Sequence, residues 1–189
     1  MALAVPASAQ RASEGHRFLE AVRERDGTVA TEMLNEPGTT VVNARDISNG
    51  ETALHVAAAR RDTTWLRFLT QRGGDPNIAN KRGVTPLQVA VSLGDVDGAE
   101  VLLKAGASQS HGNATGETAL ITAVHRRDMP MIRLLLDNGA NIDLTDSSGR
   151  SARDYARLQG ERSPILEALD RAEEDRAKTP AAQEYGPSF

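Results

Sequence analysis

His16, His55, His111 and His125 are the only imidazoles in the chain, and together with 26 carboxylates they are the side chains that could move a proton or hold a metal ion. A metal site needs His, Cys or carboxylate donors at short, repeatable spacings, and none of these histidines stands at such a spacing from another His or from a carboxylate. Cysteine is absent, which removes thiol catalysis, disulfides and thiolate zinc sites. The glycines form neither a G-x-G-x-x-G nor a phosphate-binding loop, and no G-x-S-x-G occurs. Each carboxylate reads as a helix cap, a loop residue or a solvated charge. The sequence therefore predicts no catalytic residue, no cofactor site and no metal site, and a chain that is not an enzyme.

The glycines carry a different message. Gly50-Glu51-Thr52-Ala53-Leu54 recurs letter for letter at Gly116–Leu120, and Gly83-Val84-Thr85-Pro86-Leu87 stands midway. With Gly149 they mark one strict period, shared by Asp62, Asp95 and Asp128 and by Gly73, Gly106 and Gly139. A fixed period of this size signals stacked repeats, each one supersecondary unit. Within a unit the first glycine suits a turn with positive φ. The Thr or Ser that follows two residues on can cap a short, alanine-rich helix. The Asp caps a second helix carrying large apolar residues, such as Trp65, Leu66, Phe68 and Leu69, and the later glycine suits a left-handed helix end.

The stretches TALHVAA (52–58), TPLQVAV (85–91) and TALITAV (118–124), with helix ends LTQRGGDPN, LLKAGAS and LLDNGANID, resemble ankyrin repeats. The resemblance covers three full units between residues 46 and 148. It implies an all-α solenoid of about five stacked helix-turn-helix units with hairpin-like loops: 17–45, 46–79, 80–112, 113–145 and 146–172, the outer two being divergent caps. Residues 1–16 read as a disordered arm and 173–189 as a disordered acidic tail. The resemblance also gives His55 a role in hydrogen bonds within and between units, with Gln88 and Ile121 in the same column.

Hydrophobic residues make up 39% of the chain, charged residues 25% and aromatics 3%, so the core must rest on Leu, Val, Ile and Ala. No apolar run is long enough to span a bilayer, which predicts no membrane insertion. Net charge is -4, which with so few aromatics argues against nucleic acid as partner. Ala7-Ser8-Ala9 before Gln10 has the small-x-small pattern of a signal-peptidase site, without a charged n-region or a full apolar h-region. Three readings stay open: a start upstream, an exported chain cut inside its signal, or an Ala-rich arm. The layout resembles small exported bacterial ankyrin-repeat proteins, which implies a periplasmic or secreted location, with the cytoplasm as the alternative.

The resemblance implies a partner site on the concave face, built from hairpin tips and first-helix ends. Glu51, Arg60, Lys81, Arg82, Val84, Leu93, Glu117, His125, Arg126 and Arg150 map there. The strip is basic, interrupted by Glu51 and Glu117, with apolar Val84 and Leu93 near its middle. Arg61 and Arg127 stand where the family usually has glycine. The expected function is a monomeric adaptor that binds another protein, one with an acidic segment, through this strip. Soluble surface arginine is the competing reading, and the acidic tail folding onto the strip is a third. An accessory factor that binds a small ligand or assists an enzyme, for example in periplasmic stress defence, is the alternative function, and a deep pocket holding a perturbed acid or base would favour it.

Overall fold

The computed structural model describes residues 7–160 and 163–178. Among the described residues ten α-helices follow one another in antiparallel pairs: α1 (Ala7–Glu24) with α2 (Gly27–Asn35), α3 (Ala53–Ala59) with α4 (Thr63–Gln71), α5 (Pro86–Leu93) with α6 (Val96–Lys104), α7 (Ala119–His125) with α8 (Met129–Asp137), and α9 (Ala152–Leu158) with α10 (Pro164–Lys178). Among the described residues there is no β-strand, only one isolated bridge between Thr145 and Ser151. First helices pack on first helices from α1 to α9, and second on second from α4 to α10, as an all-α repeat solenoid requires.

Local chemistry sets each pair. The side chains of Asp26, Asp62, Asp95 and Asp128 each accept a hydrogen bond from the backbone N–H three residues on, at Val29, Trp65, Gly98 and Met131. Thr85, Thr118 and Ser151 do the same for α5, α7 and α9. Gly50, Gly83, Gly116 and Gly149 hold φ between 72° and 78°, which closes the hairpin before each first helix. The tips also bond to one another: Lys81 N–H donates to Asn49 O (2.9 Å) and Ser147 N–H to Thr115 O (2.9 Å).

The core is a run of aliphatic columns. Leu69, Leu102 and Leu135, one period apart, are each fully buried, as are Leu54, Leu87 and Leu120. Ala53, Ala57, Ala90 and Ala123 are fully buried too, and their small side chains let neighbouring first helices approach closely.

The ends differ from the sequence expectation. Where a disordered arm is predicted over 1–16, α1 begins at Ala7; Ala and Gln favour helix, and the helix is anchored by Phe18, Leu19 and Val22 in the core. Gly15 lies buried, and an added Cβ there would stand 3.0 Å from Ala44 Cβ. Residues 1–6, and so most of the signal-like stretch, lie outside the described residues. At the other end α10 continues six residues past the expected tail boundary at 173. Glu174 and Lys178 pair one turn apart, and the Arg176 guanidinium donates to Ala140 O (2.6 Å). Residues 179–189, the rest of that tail, lie outside the described residues.

The turn between the helices of a pair passes through one left-handed residue: Arg25 (φ 60°), Arg61 (53°), Gly94 (69°) and Arg127 (54°). Only glycine adopts this conformation without steric cost. Replacing Arg127 by Gly should raise stability by about 0.5–1 kcal/mol, the left-handed penalty less the added freedom of the unfolded chain. Urea unfolding measures it; an unchanged or lower midpoint would mean that the arginine side chain itself holds the turn.

Candidate partner-binding face

The open side of the first helices and the hairpin tips form the expected strip, and the structure divides its residues into two groups. The first is occupied by the fold itself. Arg60 is half-buried, and its Nη1 donates to the carbonyls of Val22 (2.5 Å) and Arg23 (2.9 Å) at the end of α1, with Asp62 3.8 Å from Nη2. Both carbonyls lie in the last turn of α1, where Val22 O also accepts from Arg25 N–H (3.3 Å), so the guanidinium adds a cap from the next unit. Burial holds its pKa below the usual arginine value, against the pull of Asp62. Arg60 is thus a staple between units, not a free contact for a partner. Its neighbour Arg61 reaches the other way and donates to Leu93 O (2.5 Å). Gln159, one period after Arg126, donates backwards to Val124 O (2.9 Å).

Val84 and Leu93 are half-buried, and both lend their carbonyls to the stack. Val84 O accepts from His55 Nε2 (2.9 Å) and Leu93 O from Arg61. The apolar centre expected of the strip is therefore local packing in large part. Glu51 is half-buried, and its carbonyl accepts from Asp46 N–H (2.8 Å), closing its own tip.

The second group is free to meet a partner. Lys81 is exposed, with Nζ resting on Ile47 O (2.6 Å). Arg82, Arg126, Arg127 and Arg150 are exposed. Among the described residues no ion pair joins Arg61, Lys81, Arg82, Arg126, Arg127 or Arg150 to a carboxylate. A guanidinium or ammonium bonded only to a carbonyl, or to nothing, keeps its full positive field. Glu117 is the acid that interrupts this group, and its Oε1 lies 2.9 Å from His125 Nδ1. The described part of the acidic C-terminal segment, α10, packs on α8 and α9, where Asp170 and Glu173 pair with Arg153.

Tyr155 belongs to this face and was not singled out from the sequence. Its ring meets His125 edge-on at 4.2 Å between centroids, and the Arg150 guanidinium lies 5.9 Å from its centre. Its hydroxyl donates to Asp146 Oδ2 (2.5 Å). Bonds from the Ser148 hydroxyl and from Tyr155 hold Asp146 well below the usual carboxylate range, so it stays ionised. The available signal was that one of only two tyrosines in the chain stands at the column of Val56, Val89 and Thr122.

Surface cavities open along Glu14 and the 36–44 loop, between α8 and α10, beside Trp65 and Phe68, and at the C-terminal end of the strip, where Arg127 and Gln159 line one with Met129, Pro164 and Ile165. Among the described residues no group of three or more His, Asp or Glu gathers as a metal site, and no helix is long and apolar enough to cross a membrane.

Comparison with known proteins agrees with this architecture. A family model described as ankyrin repeats in three copies matches residues 18–113. A second, described as ankyrin repeats in many copies, matches residues 102–156. A search of curated proteins finds no match to the chain.

Proposed function

The chain belongs to the ankyrin-repeat family, whose repeats are general protein–protein interaction modules, and from that premise we propose that it is a non-enzymatic adaptor that holds an acidic segment of a partner protein along its open face. One observation carries this reading. Among the described residues, the exposed cations Lys81, Arg82, Arg126 and Arg150 of the tips and first-helix ends are left without carboxylate partners, in a chain whose net charge is negative. A solenoid that only needed solubility could intersperse its charges. Here Lys81, Arg82, Arg126 and Arg150 lie along one strip, while Asp26, Asp62, Asp95 and Asp128 serve as helix caps and a further group of acids lies in α10. Such a field speeds encounter with an acidic segment and fixes its register.

The test uses two baits in extracts of the source cell. One is the full chain, and the other carries Arg82→Glu, Arg126→Glu and Arg127→Glu. All three positions are exposed, so each should change stability by no more than about 0.5 kcal/mol. Arg60 is left intact because its loss would unfasten α1. A partner captured by the natural chain and lost from the reversed one is the expected result. Equal capture by both would place the binding site on another surface.

A further inference from the structure

The open side of the first helices carries two columns of side chains, each repeating once per unit. In one, Val56, Val89, Thr122 and Tyr155 are all half-buried. In the other, Ala59, Ser92, His125 and Leu158 are all exposed. The first column keeps one β-branched size until it ends on Tyr155, and the second runs from Ala and Ser to His and Leu. The largest side chains of both columns therefore stand together on α9.

Leu158 is 71% exposed, one of two large apolar side chains so exposed among the described residues. It lies three residues after Tyr155, on the same side of α9. The Tyr155 ring is held before any partner arrives, by the His125 edge, the Arg150 guanidinium and the hydrogen bond to Asp146. A rigid aromatic beside an exposed leucine and unpaired arginines has the composition of an interface hot spot, and its ordering cost has already been met within the fold. Ile121 stands where His55 and Gln88 bond to the next tip, and at this junction the His125–Tyr155 contact joins the two units beside the Ser147–Thr115 and Gln159–Val124 hydrogen bonds.

We infer that the Tyr155–Leu158 end of the open face is an anchor point that takes an apolar side chain, aromatic or large aliphatic, from the acidic partner segment. This rests on the reading that the strip binds acidic protein. Arg126 and Arg127 beside His125 hold the flanking carboxylates, and the ring and the leucine take the apolar group between them. The partner is thus an acidic peptide segment with an apolar residue in it, docked towards the C-terminal units.

The test is fluorescence anisotropy of the full chain with three labelled peptides: a short Glu/Ser peptide with a central Phe, the same peptide with a central Ser, and the Phe peptide with Lys in place of Glu. The Phe/Glu peptide should bind about tenfold tighter than the Ser/Glu peptide. Tyr155→Ser and Leu158→Ser should each reduce that ratio to less than about twofold. Leu158→Ser alters an exposed side chain, so the proposal stays testable if Tyr155→Ser fails to fold. Equal binding of the two Glu peptides, or a ratio untouched by Leu158→Ser, would overturn the anchor while leaving the acidic reading in place. A Glu peptide that binds no better than its Lys counterpart would overturn the acidic reading, and the anchor with it.

Discussion

Leu102→Ala should lower the free energy of unfolding by about 2–5 kcal/mol, the range for truncating a fully buried leucine. Leu102 is 0% exposed and sits in α6, in the middle of the stack. Its helix packs on α5 in its own unit and on α4 and α8 in the units on either side. A cavity there cannot close by shifting one helix without opening a gap against another, so the cost should lie well above that of lost transfer energy alone. Stability in such arrays is close to a sum of unit and nearest-neighbour terms, and this position contributes to two neighbour terms at once. Urea unfolding followed by circular dichroism measures it. A single transition at lower midpoint is expected; a midpoint unmoved by the change would mean that the leucine column does not carry the core.

His55→Ala is the second large effect, on the order of 2–3 kcal/mol. His55 is 1% exposed and bonded on both nitrogens. Nδ1 accepts from Thr52 N–H (3.1 Å), which leaves the proton on Nε2, donating to Val84 O of the next unit (2.9 Å). Removing the ring strands the buried Thr52 N–H and cuts one link between units. The Val84 carbonyl is less exposed to loss because Asn80 N–H also reaches it (2.8 Å).

The same residue predicts a pH dependence. Burial holds the His55 pKa below its ordinary value of 6.5, partly offset by the bond to Val84. The unfolded chain therefore takes up the proton first. The contribution of His55 is complete above about pH 6.5 and falls as pH drops towards the folded-state pKa, by up to about 1.4 kcal/mol per pH unit. Gln88 shows how to isolate this effect. It occupies the same column, accepts from Thr85 N–H through Oε1 (2.9 Å) and donates to Glu117 O (3.1 Å), with nothing to titrate. His55→Gln should keep most of the stability and flatten the slope just below pH 6.5. If the slope is the same in both proteins, another group is its source.

Much of the fold was legible because its determinants are local. A glycine that must hold positive φ, a Thr or Asp that must meet an N–H three residues on, and an apolar face at helical period are all read within a few residues of chain. The period then repeats each decision, so Gly50, Gly83, Gly116 and Gly149 confirm one another. The ends were less legible because they lack that redundancy. Helix α1 reaches back to Ala7 through contacts such as Gly15 on Ala44, and α10 runs to Lys178 partly because Arg176 finds a carbonyl in another unit.

The sequence by itself determined the repeat, its caps, its leucine columns and the basic character of one strip. Only the tertiary structure decided which bases are free. Arg60 and Arg126 are one column and one residue type, yet the first is drawn onto the Val22 and Arg23 carbonyls and the second is exposed. Likewise Tyr155, beside Arg150 of its own unit, meets His125 only when two units are stacked. The physical reason is reach. A long, flexible side chain bonds to whatever the neighbouring unit presents within several ångströms, and that is set by how helices pack across the stack rather than by the residues beside it in the chain.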